Sequence, residues 1–323
     1  VNIRLSVIGW ITAGMLILGS LWPAPNSDLV RGVLSELVKL LPLIVFVAVL
    51  AGWLAVSAIA DRLRGVLENR PWRAIFAASL VGTITPVCGI ASVPLVAALL
   101  RQGVPMAAAM AFWLSSPITD PGMLILTAGI LGWPFAIGKL LAAFLMGLSA
   151  GAITQGMCRW SPGTPWVREE ALPEKLDAAD AVTGNRSPFL VEVVSTFWLV
   201  MRWLAFALTI EALVRTHLGE AGFSLLAGVE PAWAVPMAVV IGGPLYIEGY
   251  AALPLLRGLI DMGLPTGAAM AFLISGAAIS LYSAIAVWSL VRPMIFGLYL
   301  LLGMTGALAA GWIMEISSHP LVY

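Results

Sequence analysis

Apolar residues run along this chain in long blocks and do not alternate with polar ones. The blocks cover 3–22, 34–60, 73–101, 105–131, 133–158, 188–216, 231–258, 266–290 and 293–316. Polar residues collect between them, mainly at 61–72 and 159–187. About 20 uncharged residues in helical form cross the ~30 Å of a bilayer interior, so the pattern predicts an all-α polytopic membrane protein. Strands of a transmembrane barrel would read as short alternating segments, which this sequence lacks. The first block, with Arg4 ahead of it and Pro23-Ala24-Pro25 after it, reads as a retained membrane helix and not as a secretory signal. The pattern divides the chain into a leading helix and loop (1–32), a first repeat (33–158), a hydrophilic linker (159–187) and a second repeat (188–323).

Three blocks are interrupted. Thr85-Pro86-Val87-Cys88-Gly89-Ile90-Ala91-Ser92-Val93-Pro94 places two prolines, a glycine and a thiol inside an apolar run. Gly242-Gly243-Pro244-Leu245-Tyr246-Ile247-Glu248-Gly249 does the same in the second half, and Ser115-Ser116-Pro117-Ile118-Thr119-Asp120-Pro121 breaks 105–131. The first two are copies. At an offset of 160 residues, 14 of the 34 positions from 82 to 115 are identical without a gap. Gly82, Gly89, Gly103, Pro94 and Pro105 all meet their like, and Ala108-Ala109-Met110-Ala111-Phe112 returns at 268–272. Apolar composition explains the alanines, but it does not set glycines and prolines in register.

The distribution of basic residues fixes the expected topology, because they favour the inner side of a membrane. If 73–101 and 231–258 dip in and return as re-entrant hairpins, 11 Lys/Arg fall inside and 4 outside (Arg31, Lys139, Arg215 and Arg257). If every block crosses once, the division is 8 to 7. The hairpin arrangement gives an odd number of crossings per repeat. The expectation is therefore two inverted repeats with broken or re-entrant helices meeting at the bilayer midplane, with the linker cytoplasmic.

Composition narrows the chemistry. The chain is 60% hydrophobic and 11% charged with a formal net charge of zero, which leaves no electrostatic case for nucleic acid. Two cysteines, Cys88 and Cys158, and two histidines at block ends give no disulfide framework, zinc cluster or cofactor motif.

A broken helix frees backbone groups that lipid cannot satisfy, so the breaks should line a polar cavity. Gly and Pro alone would fit close helix packing equally well. Asp120 and Glu248 do not fit that reading, since an ionisable group at such depth costs roughly 2.5 kcal/mol or more. Glu248 fills the slot that Cys88 holds in the other repeat. Arg202 lies at the centre of 188–216 and is the expected charge partner of one of the two acids. Cys88, Asp120 and Glu248 are the candidate contacts for substrate or coupling proton. Thr85, Ser92, Ser115, Ser116, Thr119, Tyr246 and Ser275 are candidate neutral ligands.

Pro86-Val87-Cys88-Gly89, Pro94, the Arg101-Gln102-Gly103-Val104-Pro105 turn, Ala109 to Phe112 and Ser116-Pro117 with Pro121 resemble the predicted-permease family that includes the organoarsenical efflux permeases. Family members often carry a second cysteine where this chain has Ile90, and many carry one where it has Glu248. The resemblance implies a multi-pass permease of the bacterial inner membrane with no cofactor.

The expected function is a secondary transporter moving a small polar solute, or a metal or metalloid species, through a midplane site, with proton coupling open. The alternatives are a membrane-embedded enzyme using Cys88 as a thiol, and an assembly subunit with a dry centre. The expected partners are the lipid bilayer and a small-molecule or ion substrate, with homo-oligomerisation left open.

Overall fold

The computed structural model describes residues 25–56, 70–85, 103–160, 230–244 and 249–318, with parts of 92–100 and 189–209. Its described regular elements are α1 (Pro25–Val56), α2 (Pro71–Ile84), α3 (Met106–Ser115), α4 (Pro121–Leu131), α5 (Trp133–Trp160), α6 (Pro231–Gly242), α7 (Gly249–Asp261), α8 (Thr266–Ile279), α9 (Leu281–Leu290) and α10 (Pro293–Ser318). Proline opens many of them: Pro71, Pro121, Pro231 and Pro293 stand in the first turn, and Pro105 and Pro265 immediately precede α3 and α8. A helix start has no partner for its first N–H groups, so a residue lacking one is placed there without loss.

Three helical stretches among the described residues are long and apolar enough to cross a bilayer: Trp133–Trp160, Thr266–Ile285 and Pro293–Ser318. On α5 the outward residues Ile137, Leu141, Leu145 and Ile153 are exposed, while Ala136, Ala143, Met146 and Ala150 are buried. A helix that is apolar all round is at rest in lipid, not in water. With no strand among the described residues, the protein is an all-α membrane protein.

At the centre stand α3 and α8. All ten residues of α3 are buried, and on α8 the run from Gly267 to Gly276 is buried throughout. Their alanines let neighbouring backbones approach closely, which is how helices associate without a hydrophobic drive. In the first half α2, α3 and α5 pack together, and in the second half α6, α8 and α10 do so.

The two clusters repeat contact for contact at the 160-residue offset. A Cβ on Gly82 would meet Ser115 Oγ and the Phe112 carbonyl; one on Gly242 would meet Ser275 Oγ and the Phe272 carbonyl. A Cβ on Gly151 would lie 2.5 Å from Ile75, 3.0 Å from the Ala107 carbonyl and 3.0 Å from Ala111. On Gly311 it would lie 2.8 Å from Val235, 2.8 Å from the Gly267 carbonyl and 2.9 Å from Ala271. The turns match as well. Gly103 (φ 85°) and Gly263 (φ 106°) adopt left-handed backbone, and Val104 N donates to Leu99 O as Leu264 N donates to Leu259 O. This arrangement ends a helix with its last carbonyls satisfied, and it needs glycine for lack of a Cβ.

The halves meet through α5 and α10. A Cβ on Gly306 would lie 2.8 Å from Met146 Cε, and one on Gly138 would lie 3.5 Å from Met314 Sδ. Numbers rise along α5 as they fall along α10, so the two helices run in opposite directions where they touch. Met146 and Gly306 are also equivalent positions at the offset.

Two readings of the sequence need correction. Block 266–290 reads as continuous, but the structure breaks it at Ser280 (φ −51°, ψ 149°), at the position equivalent to Asp120. Lys139, counted with the outer basic residues, is 1% exposed within α5. The other anticipated breaks stand: α2 ends at Ile84, α3 gives way to α4, and α6 ends at Gly242 before α7 begins at Gly249. Most of the linker 159–187 lies outside the described residues, beyond the end of α5 at Trp160.

Candidate functional site

The best-defined polar place is the break between α3 and α4. The last turn of α3 closes with Ser116 N donating to Phe112 O at 3.0 Å, and Pro117 cannot continue the ladder. The chain reaches Asp120 in an extended conformation (φ −139°, ψ 169°), and α4 starts at Pro121. The Asp120 carboxylate accepts from Met123 N at 2.9 Å, capping α4. A negative group at a helix N-terminus satisfies an orphan N–H and complements the helix dipole.

Ile118 and Thr119 are buried beside it, and Thr119 Oγ1 makes no hydrogen bond. A buried hydroxyl left unpaired costs about 1–3 kcal/mol, so such an atom marks a place for water or a ligand. From α5, which packs against α4, Lys139 brings a buried amine that interacts electrostatically with Asp120.

The second half builds the same place without charge. Ser280 stands where Asp120 does, and its hydroxyl pairs with Ser283 Oγ at 2.5 Å. Ser283 Oγ also lies 3.1 Å from Ser280 O. Ala284 N donates to Ser280 O at 2.8 Å, matching Leu124 N to Asp120 O at 2.8 Å. Tyr299 stands where Lys139 does, buried, its hydroxyl donating to the Ala278 carbonyl freed by the break. One break is thus closed by neutral hydroxyls and the other holds an acid and an amine.

The remaining expected ligands divide into three groups. Ser115 and Ser275 are fully buried, and their hydroxyls donate to their own helices, to Ala111 O at 2.8 Å and to Phe272 O at 3.2 Å. Wedged against Gly82 and Gly242, they pack α3 against α2 and α8 against α6 as well as lying near the breaks. Thr85 Oγ1 donates to Val81 O at the end of α2, and Ser92 and Ser116 are buried. Cys88, Arg202, Tyr246 and Glu248 lie outside the described residues. No group of three His, Cys, Asp or Glu stands together among the described residues. The sequence reading missed Lys139 and Tyr299, although the 160-residue offset pairs them as two polar-headed residues inside apolar helices.

A multi-helix membrane protein with broken helices around buried polar groups has the architecture of a permease. The chain belongs to the predicted-permease family, whose model matches residues 28–316. Among its relatives is UPF0718 protein YraQ of Escherichia coli (strain K12), 29% identical over 254 residues, covering 73% of this chain and 69% of that protein. A second, from Streptococcus mutans, is named "Putative two-component membrane permease complex subunit"; it is 30% identical over 122 residues, 37% of this chain and 40% of that one. UPF0718 protein YcgR of Bacillus subtilis (strain 168) is 28% identical over 94 residues, 29% of this chain and 32% of its own length. No solved structure matches the chain.

Proposed function

We propose that this membrane permease is a secondary transporter of the bacterial inner membrane, built of two inverted repeats, and that it couples solute movement to a proton at Asp120. The observation that carries this is the break between α3 and α4, which holds the half-exposed Asp120 and the orphan hydroxyl of Thr119, with the buried Lys139 on the helix α5 packed against α4. Ionisable groups at such depth mark solute or proton paths.

The inverted arrangement draws support from α5 and α10. These equivalent helices touch in opposite directions, and Met146 meets its own equivalent Gly306. A residue touching its own counterpart lies beside a two-fold axis; opposed helices put that axis across them. Inverted repeats of this kind expose one site to alternate sides by rocking.

The substrate class stays with the site chemistry: a small polar solute or a metal or metalloid species, held by oxygen ligands around Asp120, with Glu248 and Cys88 expected at the opposed tips. The name of the Streptococcus mutans relative favours a second reading, in which this chain is one component of a two-part permease.

Uptake into proteoliposomes as a function of pH tests the coupling. Asp120→Asn is expected to abolish the pH dependence, and Glu248→Gln to weaken solute binding at every pH. An Asp120→Asn protein that keeps the wild-type pH profile would falsify the assignment.

A further inference from the structure

We infer that Trp113 and Thr119 form a binding point, at the break between α3 and α4, for an uncharged solute that both donates and accepts hydrogen bonds, such as an amide or an alcohol. The inference rests on the reading of that break as a transport site, and adds to it the charge and the hydrogen-bonding character of the solute.

Among the described residues, two buried side-chain atoms have no hydrogen-bond partner: Trp113 Nε1 and Thr119 Oγ1. Their residues are 2% and 3% exposed. Trp113 lies in the last turn of α3, and Thr119 lies in the break just beyond it. A native fold leaves few buried polar groups unpaired, and an unpaired one calls for water or a ligand.

The second half shows the same place without the polar groups. At the 160-residue offset Trp113 becomes Leu273, Pro117 becomes Ala277 and Thr119 becomes Ile279. Helix α8 runs unbroken through these positions to Ile279. In the first half Pro117 has no N–H to give the Trp113 carbonyl four residues before it, so that acceptor loses its helical partner. All three differences act alike, since each adds or frees a polar group in the first half. Packing does not demand them, because apolar residues serve at the equivalent positions. Ser115 and Ser275 are the contrast: they are alike in both halves and bond to their own helices.

Each polar group narrows the ligand. An indole N–H only donates, so it calls for an acceptor and repels a metal ion. A threonine hydroxyl both donates and accepts, and a backbone carbonyl only accepts. None of the three is charged, whereas an ion taken out of water needs a counter-charge as well as hydrogen bonds. Asp120 beside Thr119 caps α4 through Met123 N, and a carboxylate there opposes an anion. A neutral molecule carrying an N–H or O–H together with an oxygen acceptor satisfies the set. The second half also reaches this place, since α7 packs against α4. A site between two repeats is where rocking would open it to either side.

The chain contains 13 tryptophans, so their indoles are labelled with nitrogen-15 and the signal lost in Trp113→Phe is assigned to Trp113. The full chain in lipid nanodiscs is titrated with urea, acetamide and glycerol, and separately with sodium chloride, zinc chloride and potassium sulfate. At least one neutral solute is expected to shift the Trp113 signal saturably, and the salts are expected to leave it alone. Two variants then remove one polar atom each while keeping shape: 3-benzothienylalanine at position 113, with sulfur in place of the N–H, and Thr119→Val. Each should weaken binding of that solute roughly tenfold, the worth of one buried hydrogen bond, without lowering the thermal midpoint. A Trp113 signal indifferent to all three neutral solutes overturns the inference, as does one that answers to a salt alone. A lower thermal midpoint for Thr119→Val without solute means that the hydroxyl has a partner in the protein, and overturns it too. Proteoliposomes in hyperosmotic urea, acetamide or glycerol shrink and then re-swell as solute enters. Saturable binding at Trp113 with re-swelling no faster than in protein-free liposomes leaves the site standing and overturns transport through it. Protein-dependent re-swelling that is unchanged in both variants leaves the transporter standing and overturns the site.

Discussion

Lys139 shows how a single residue can be misplaced by a local pattern. It stands near the start of the block 133–158 and is counted with the outer basic residues, yet α5 begins at Trp133 and carries it one and a half turns inward, where it is buried. Asp120 was legible because prolines on both sides advertise a break. Its counterpart Ser280 was not, because Ala278-Ile279-Ser280-Leu281 contains neither proline nor charge and fits a continuous apolar helix. What stops α8 there is a tertiary partner, since the Tyr299 hydroxyl takes the Ala278 carbonyl. Replacing Tyr299 with Phe should leave that carbonyl unpaired and cost about 1–3 kcal/mol, read as a lower thermal midpoint in detergent. Ser283→Ala, which removes only one of several hydroxyl contacts, should cost less in the same measurement.

At the scale of the element, small residues decide where helices touch. Gly151 and Gly311 each let a long helix lie against the backbone of a central one, and each is bounded by the same three equivalents. Valine at either position would overlap a carbonyl that belongs to a fixed helix and cannot swing away. Overpacking of this kind costs about 1–3 kcal/mol, so Gly151→Val and Gly311→Val should lower the thermal midpoint by similar amounts. Gly156→Val, which meets nothing within 4 Å, is the control and should leave it almost unchanged. The glycine register at 160 residues foretold equal packing in the two halves. The identity of the partners was not legible, because no apolar stripe distinguishes the inner from the outer face of a helix that is apolar all round.

For the whole molecule, the opposed contact of α5 and α10 gives a direct test of the proposed inversion. In a background lacking Cys88 and Cys158, cysteines at Gly138 and Met314 should form a disulfide within one chain, as a Cβ on Gly138 lies 3.5 Å from Met314 Sδ. Helices running the same way would instead bring Gly138 near the start of α10, and the 138–314 pair would then stay reduced. The linker 159–187 is expected to resist thiol labelling from outside intact cells. Met146 and Gly306 hold a different place from every other pair discussed. In a carrier whose halves trade shapes at each turnover, each position must become what its counterpart was. A contact between a residue and its own counterpart is one that this trade would leave unaltered. In the proposed carrier it would be a fulcrum, with Lys139 and Tyr299 as unequal weights on the two arms. Substitutions at Met146 should therefore slow or quicken the swing in both directions alike. Those at Lys139 or Tyr299 should tip the resting balance towards one side of the membrane.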